Sequence, residues 1–333
     1  MNMKSKMNKL FFKSEFFVFL IIIIFALLVQ VRSGQFFSNT NMINLLRSMT
    51  VPLIYGLCAY LGFISTGADV SFPLIAALST YMGTIFVTNM GMTVGTLGAF
   101  IISILFGLLL GFLNGFLISN YDFPSLIVTL GTSTIFSGIL FGVLNAGRVL
   151  LPTEIMSFVE KPLISVTNPT TNISAALPKT FIIALLLYLA VYLVLNYTIA
   201  GRGVFAIGGD SSSAERAGFN VKLIRTSLFT ISGGIAAIAG MCYALETKYF
   251  LPTEYVGGEM TVIAAVVLGG TSMASGKGSL TGVFLGTLLL TMVSNSLMLI
   301  GVPIYWQRAI VGLIIVVGTA ISVLDISKLR FAK

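Results

Sequence analysis

Apolar residues gather in long runs along this chain, and the runs are broken by short clusters of Gly, Pro, Asn or charge. Phe16 to Leu28, Phe181 to Leu195 and Ala309 to Val323 are nearly free of charge. Each approaches the ~20 residues that a helix needs to cross a bilayer core. Lipid offers the backbone no hydrogen-bond partner, so such segments must close their own bonds as helices. Glycines inside them then read as close-packing points or breaks rather than loops. The pattern predicts spans near residues 15–32, 48–66, 70–88, 94–118, 125–147, 179–198, 226–246, 258–272, 280–300 and 305–324. The expected fold class is an all-α integral membrane protein of about ten transmembrane helices, in a single domain over 1–333.

Composition agrees: 56% of the 333 residues are hydrophobic and only 9% charged, where a soluble chain carries about a quarter charged residues. An even number of spans puts both termini on one side, and the basic residues indicate which. Lys4, Lys6, Lys9, Lys13, Arg202, Arg216, Lys222, Arg225, Lys277, Lys328, Arg330 and Lys333 fall on the side of the termini. Arg32, Arg47, Arg148, Lys161, Lys179, Lys248 and Arg308 fall on the other. The excess predicts cytoplasmic termini. The net charge of +8 forms no continuous basic stripe with interleaved aromatics, so nucleic-acid binding is not expected. The N-terminal lysines resemble the basic region of a signal peptide, but Val29 to Gly34 holds no convincing cleavage site, and an uncleaved first helix is expected.

Two loops are long. Residues 148–180 face outward, with Pro152, Pro162, Pro169 and Pro178 and a Thr/Asn-rich stretch from Val166 to Ile173. Residues 199–225 face inward and hold the densest polar cluster. No domain linker or low-complexity tail is evident. The small-residue spans 94–118 and 280–300 sit at comparable places in the two halves, which is compatible with an inverted repeat.

The chain has no histidine, which removes Ser-His-Asp and Cys-His centres and every imidazole metal ligand. Cys58 and Cys242 lie in apolar runs and read as small packed residues. Gly269 to Ser279 invites a phosphate-loop reading and fails it: Gly270 and Gly276 enclose five residues where four are required, and Gly278 follows Lys277 in place of Ser or Thr. A glycine-rich inner turn is expected there. In the inner loop, Ser211 or Ser212 is predicted to cap a short helix through Glu215 and Arg216, with Gly218 ending it. Local chemistry leaves this segment either a solvated turn or a rigid knob for docking a partner. Asp69, between the second and third spans and four residues before Pro73, is expected to cap the following helix or to take part in conduction. Asn114, Asn295 and Gln307 are polar residues in apolar surroundings, suited to interhelical hydrogen bonds or to contact with a solute.

Four blocks carry a resemblance to a known family. Gly67-Ala68-Asp69-Val70-Ser71 is the first, and Asn114-Gly115-Phe116-Leu117-Ile118 with Phe123-Pro124-Ser125-Leu126-Ile127-Val128-Thr129-Leu130-Gly131-Thr132 is the second. Ala206-Ile207-Gly208-Gly209 with Ala217-Gly218-Phe219-Asn220-Val221 is the third. Ile263-Ala264-Ala265-Val266-Val267-Leu268-Gly269-Gly270-Thr271-Ser272, with Gly276, Gly278 and then Tyr305-Trp306-Gln307, is the fourth. In order and wording these blocks resemble the ribose/simple-sugar permease family of ATP-binding-cassette (ABC) importers. The chain departs from the family's pattern at Thr66, Phe72-Pro73 and Asp210.

The resemblance implies a multi-pass permease subunit of the bacterial cytoplasmic membrane that moves a monosaccharide inward by alternating access. It implies a second permease subunit (homodimer or heterodimer), a separate ABC ATPase subunit inside and an extracytoplasmic solute-binding protein outside. No cofactor is expected in this chain, since ATP and magnesium would bind the ATPase. Gly208, Gly209, Ser211, Ser212, Glu215, Arg216, Ala217 and Gly218 become the expected coupling contacts to that ATPase, and Asp69, Asn114, Asn295 and Gln307 the candidates for the translocation pathway. A nucleoside, autoinducer-2 or a branched-chain amino acid is the alternative cargo. An ion-driven secondary transporter is the alternative class, motivated by Asp69 and the broken spans.

Overall fold

Every predicted span contains a helix in the computed structural model, which describes residues 14–89, 95–168, 174–272 and 276–323. Lys4, Lys6, Lys9, Lys13, Lys328, Arg330 and Lys333, Pro169 with the rest of the Thr/Asn-rich stretch up to Ile173, and Met273 to Ser275 lie outside the described residues.

In chain order the elements are α1 (Ser14–Ser33), α2 (Asn39–Phe63), α3 (Phe72–Asn89), α4 (Gly95–Tyr121) and α5 (Ser125–Gly138), the last continued by a π-helical turn Ile139–Val143. Then come β1 (Val149–Leu150), α6 (Thr153–Met156), β2 (Ile164–Thr167), β3 (Ser174–Leu177), α7 (Thr180–Tyr197), α8 (Ile199–Gly209), α9 (Ser211–Arg216) and α10 (Val221–Thr247). β4 (Tyr249–Phe250), α11 (Glu259–Leu268), α12 (Leu280–Leu299) and α13 (Ile304–Val323) follow among the described residues.

Among the described residues, seven helices are long and apolar enough to cross a membrane. The predicted span at 258–272 is realised differently: α11 has 10 residues, about 15 Å of rise, or half of a ~30 Å hydrocarbon core. A glycine turn at Gly269 and Gly270 ends it. α10 starts five residues earlier than expected because Asn220 caps it, its side chain accepting from Leu223 N at 3.0 Å. Lys222 and Arg225 therefore lie on the helix, and Arg225 pairs with Asp122 at 3.0 Å.

α2 and α10 form the enclosed centre, while α1 and α7 lie outside and expose Phe19, Leu27 and Leu28, and Leu185, Leu186 and Leu189. Lipid is as apolar as the protein interior, so these side chains need no protein cover. Close packing instead depends on small residues. Gly107, Gly111 and Gly115 repeat every four residues along α4 and face α10. A Cβ on Gly107 would lie 2.4 Å from Gly233 O, one on Gly111 2.3 Å from Phe229 O, and one on Gly115 2.7 Å from Thr226 O. The two backbones meet with no room for a side chain between them.

The helices leave two distinct ends. At one, β1 pairs antiparallel with β4 (Val149 with Phe250, Leu150 with Tyr249), and the β2–β3 hairpin rests on α2 through Ile43, Ala175 and Leu177. At the other, the predicted inner loop is mostly helical. α8 starts at a Thr198 cap, whose Oγ1 accepts from Gly201 N at 3.1 Å, and meets α9 in a sharp elbow. Here the cap differs from expectation: Asp210, not Ser211 or Ser212, is the N-cap of α9. Its extended backbone (φ −159°) frees the carboxylate to accept from Ser212 N, Ser212 Oγ and Ser213 Oγ together, which a serine hydroxyl cannot do. Gly218 ends the turn at φ +89°, as its sequence position predicts.

Candidate functional site

The segment between α2 and α3 is buried and polar. Asp69 Oδ1 accepts from Ser71 N at 2.8 Å and from Ser71 Oγ at 2.7 Å, and Ser71 Oγ accepts from Asn114 Nδ2 at 2.8 Å. All three side chains are sealed from solvent. Asp69 thus stands three residues before α3 and bonds Ser71, rather than capping the helix amides directly; Pro73 lies in the first turn, as expected. Two further threads hold the segment to α5: Val70 N donates to Thr129 Oγ1 at 3.3 Å, and Ser125 Oγ donates to Thr66 O at 3.4 Å.

A cavity of about 550 Å³ opens between α2, α10, α11 and α12, toward the strand end. Its wall combines aliphatic side chains with the phenols of Tyr55, Tyr243 and Tyr255, the carboxylates of Glu246 and Glu254, and the polar groups of Thr287, Thr291 and Asn295. The volume suits a small organic solute, and the few convergent polar groups among apolar ones are what orients such a ligand. Both acids are held in place. Thr180 Oγ1 donates to Glu246 Oε1 at 2.6 Å, and Arg47 Nη2 donates to the Glu246 carbonyl at 3.1 Å. Glu254 accepts from Tyr243 OH at 3.0 Å and from Tyr249 OH at 2.9 Å, while the Arg148 guanidinium lies 4.4 Å over the Tyr249 ring. The hydrogen bond to Glu254 raises the Tyr249 phenol above its ordinary pKa.

At the opposite end, the α8–α9 elbow presents Gly209, Ser212, Glu215, Arg216, Ala217 and Gly218 to solvent, with Ser211 half-buried and Ala214 packed beneath. Ser213 Oγ links Asp210 to Arg216, whose Nη2 donates to it at 2.8 Å. Hydrogen bonds from Ser213 and Ser212 hold the Asp210 carboxyl below its ordinary pKa. Gly208 is pinned: a Cβ there would meet Ile64 O at 2.0 Å and Gly276 Cα at 3.0 Å. The elbow therefore touches both the end of α2 and the turn that follows α11.

Residues 41–318 match the family described as "Branched-chain amino acid transport system / permease component". The chain belongs to this family of ABC importer permeases. The fructose import permease protein of Bifidobacterium longum is 30% identical over 286 residues, covering 86% of the present permease and 80% of that relative. The ribose import permease protein of Escherichia coli K12 is 27% identical over 305 residues, covering 90% and 91% of the two chains. The autoinducer 2 import system permease protein of Yersinia pseudotuberculosis is 29% identical over 299 residues, covering 89% and 80%. No solved structure matches the permease. Its relatives are transport components rather than catalysts.

Within the permease, the pathway candidates separate. Asp69 and Asn114 join in one buried chain through Ser71, and Asn295 lines the cavity. Gln307 stands apart from the cavity lining, its Nε2 donating to Val302 O at 3.4 Å. Tyr55, Arg47, Tyr243, Glu246 and Glu254 were not singled out from the sequence, although an acid ending a long apolar run, as Glu246 does, is a signal of this kind.

Proposed function

We propose that this permease carries a monosaccharide inward across the bacterial cytoplasmic membrane, working with a second permease subunit, a separate ABC ATPase and an extracytoplasmic solute-binding protein. In this reading both termini are cytoplasmic, the ten helical segments form one permease domain, and the small-residue helices α4 and α12 are counterparts in an inverted repeat. The observation that carries the proposal is the placement of the two features: a hydroxyl-, phenol- and carboxylate-lined cavity at the strand end, and a rigid elbow at the other end that touches Ile64 and Gly276. The relatives named as ribose and fructose import permeases support a sugar as cargo.

Mechanically, the ATPase docks on Gly208, Gly209, Ser211, Ser212, Glu215, Arg216, Ala217 and Gly218, and its closure on ATP and magnesium moves the elbow. The elbow bears on the inner ends of α2 and of the α11 turn, so the cavity closes at the strand end and opens at the elbow end. This is alternating access driven from outside the chain. The test is uptake of radiolabelled D-ribose and D-fructose by the assembled transporter in proteoliposomes. The double variant Glu215→Lys/Arg216→Glu, both side chains exposed, should abolish ATP-driven uptake and leave the detergent-solubilised permease monodisperse. Uptake by this chain alone, without the ATPase, would overturn the proposal.

A further inference from the structure

The face of α12 that lines the cavity carries Thr287, Thr291 and Asn295. Four-residue spacing places each about 6 Å along the helix from the last, on nearly the same side. Exposure rises along the series: Thr287 is 2% exposed, Thr291 9%, and Asn295 is half-buried. Neither Gly56 nor Val283 lines the cavity, and a Cβ on Gly56 would meet Val283 Cγ1 at 3.1 Å and Thr287 Oγ1 at 3.4 Å. Thr287 is therefore the floor of the cavity, and Asn295 stands toward its mouth.

None of the three side chains has a hydrogen-bond partner among the described residues, and the Thr287 hydroxyl is fully enclosed without one. Elsewhere in the same bundle some threonine hydroxyls bond back to the preceding turn, while the hydroxyls of Thr80, Ser103 and Ser232 are enclosed without a partner among the described residues, as that of Thr287 is. Thr84 Oγ1 donates to Thr80 O at 2.8 Å and Thr230 Oγ1 to Thr226 O at 2.7 Å. That local partner is the usual solution for a helical hydroxyl in apolar surroundings, and buried polar groups are almost always paired. α12 withholds it at two successive turns: Thr291 and Asn295 face the open volume, while the Thr287 hydroxyl is enclosed at the floor beside Gly56.

We infer that Thr287, Thr291 and Asn295 form a hydrogen-bonding track for the hydroxyl groups of an uncharged, polyhydroxylated cargo, with Thr287 as the deepest contact. The inference rests on the monosaccharide reading above and adds the residues that read the cargo. A hydroxyl group both donates and accepts, as do the threonine hydroxyls and the asparagine amide. One cargo hydroxyl is thus exchanged between successive turns without leaving a buried group unpaired. Below Thr287 the track stops at Gly56 and Val283, so passage requires α2 and α12 to part there.

The test compares the wild-type transporter, assembled with its ATPase and binding protein, with Thr287→Val and Thr287→Ser variants. Valine keeps the shape and removes the hydroxyl; serine keeps the hydroxyl. Uptake in proteoliposomes is measured for D-ribose, D-fructose and their monodeoxy analogues. For the transported sugar, Thr287→Val should lower kcat/KM by roughly fivefold, the value of one neutral hydrogen bond, and should leave one monodeoxy analogue unchanged. Thr287→Ser should restore the parent sugar. An equal fall for every analogue, or a serine variant as impaired as valine, would show a structural or water-holding hydroxyl and overturn the inference. Asn295→Leu supplies an independent arm, with loss expected for a different monodeoxy analogue and no loss overturning the track. Absence of any sugar uptake by the wild-type assembly would overturn the monosaccharide reading itself, and this inference with it.

Discussion

Gly208 and Gly276 touch backbone to backbone: a Cβ on Gly276 would lie 2.3 Å from the Gly208 carbonyl carbon. One is the penultimate residue of the helix leading to the elbow, and the other sits in the turn after the half-length helix α11. Neither glycine can accept a methyl group without moving backbone.

Gly208→Ala and Gly276→Ala should each destabilise the permease, by about 1–3 kcal/mol as overpacking does, and depress ATP-driven uptake. Gly209 is a matched control for stability because a Cβ there meets nothing within 4 Å. Thermal unfolding in detergent reads the difference; equal melting of Gly208→Ala and Gly209→Ala would remove the contact from the fold's support.

The α4–α10 seam predicts opposite signs for chemically identical substitutions. Gly111→Ala and Gly233→Ala drive a methyl group into facing backbone at 2.3 Å and 2.2 Å and should separate the helices. Gly131→Ala and Gly138→Ala, on α5, meet open space. These should stabilise by about 0.5–1 kcal/mol, since alanine loses less backbone freedom in a helix. Melting temperatures of the four variants decide the point.

The Asp69–Ser71–Asn114 chain should behave as one unit. Ser71→Ala leaves two buried polar side chains short of a partner, at a cost of about 1–3 kcal/mol. Asn114→Ala removes the other end, and the double variant should cost less than the sum. A double-mutant cycle measured by denaturation should show coupling above about 0.5 kcal/mol, and strict additivity would contradict a shared network.

Order in α9 should depend on acid. The Asp210 carboxyl is held below its ordinary value of 3.8 by the Ser213 and Ser212 hydroxyls. A depressed carboxyl stabilises fully above the unfolded value, and that contribution disappears as pH falls through the lower folded value. Amide exchange of Ser211–Arg216 should be slow, after correction for intrinsic rates, at neutral pH and accelerate only below 3.8. Asp210→Ala should exchange rapidly at every pH.

Much of the secondary structure was legible because lipid makes it a local problem. Any apolar run such as Phe181 to Leu195 must satisfy its own backbone, so composition alone places a helix there. The elbow was nearly as legible, through Gly218 and a cluster of cap-forming side chains. The choice of Asp210 over Ser211 or Ser212 was not, because Asp and Ser both cap well and only the backbone angle at 210 selects among the three residues.

The half-length of α11 was hidden for a related reason. Ile263 to Leu268 and the glycines after it are as apolar as a full span, and hydropathy does not register where a helix turns back. The cavity lay further out of reach. Tyr55, Glu246 and Asn295 come from three helices far apart in the chain, and Asp69, between α2 and α3, is joined to Asn114 of α4 through Ser71.

From the sequence alone came the class of protein, its helical segments and the position of the α8–α9 elbow, each a matter of local chemistry and motif. Only the tertiary structure decided which sides of those helices meet. A membrane helix is apolar toward lipid and toward its neighbours alike, so no periodic contrast marks the buried face. The matching of glycine seams and hydrogen bonds between distant segments then brings Thr287, Thr291 and Asn295 to a cavity and Gly208 to Gly276.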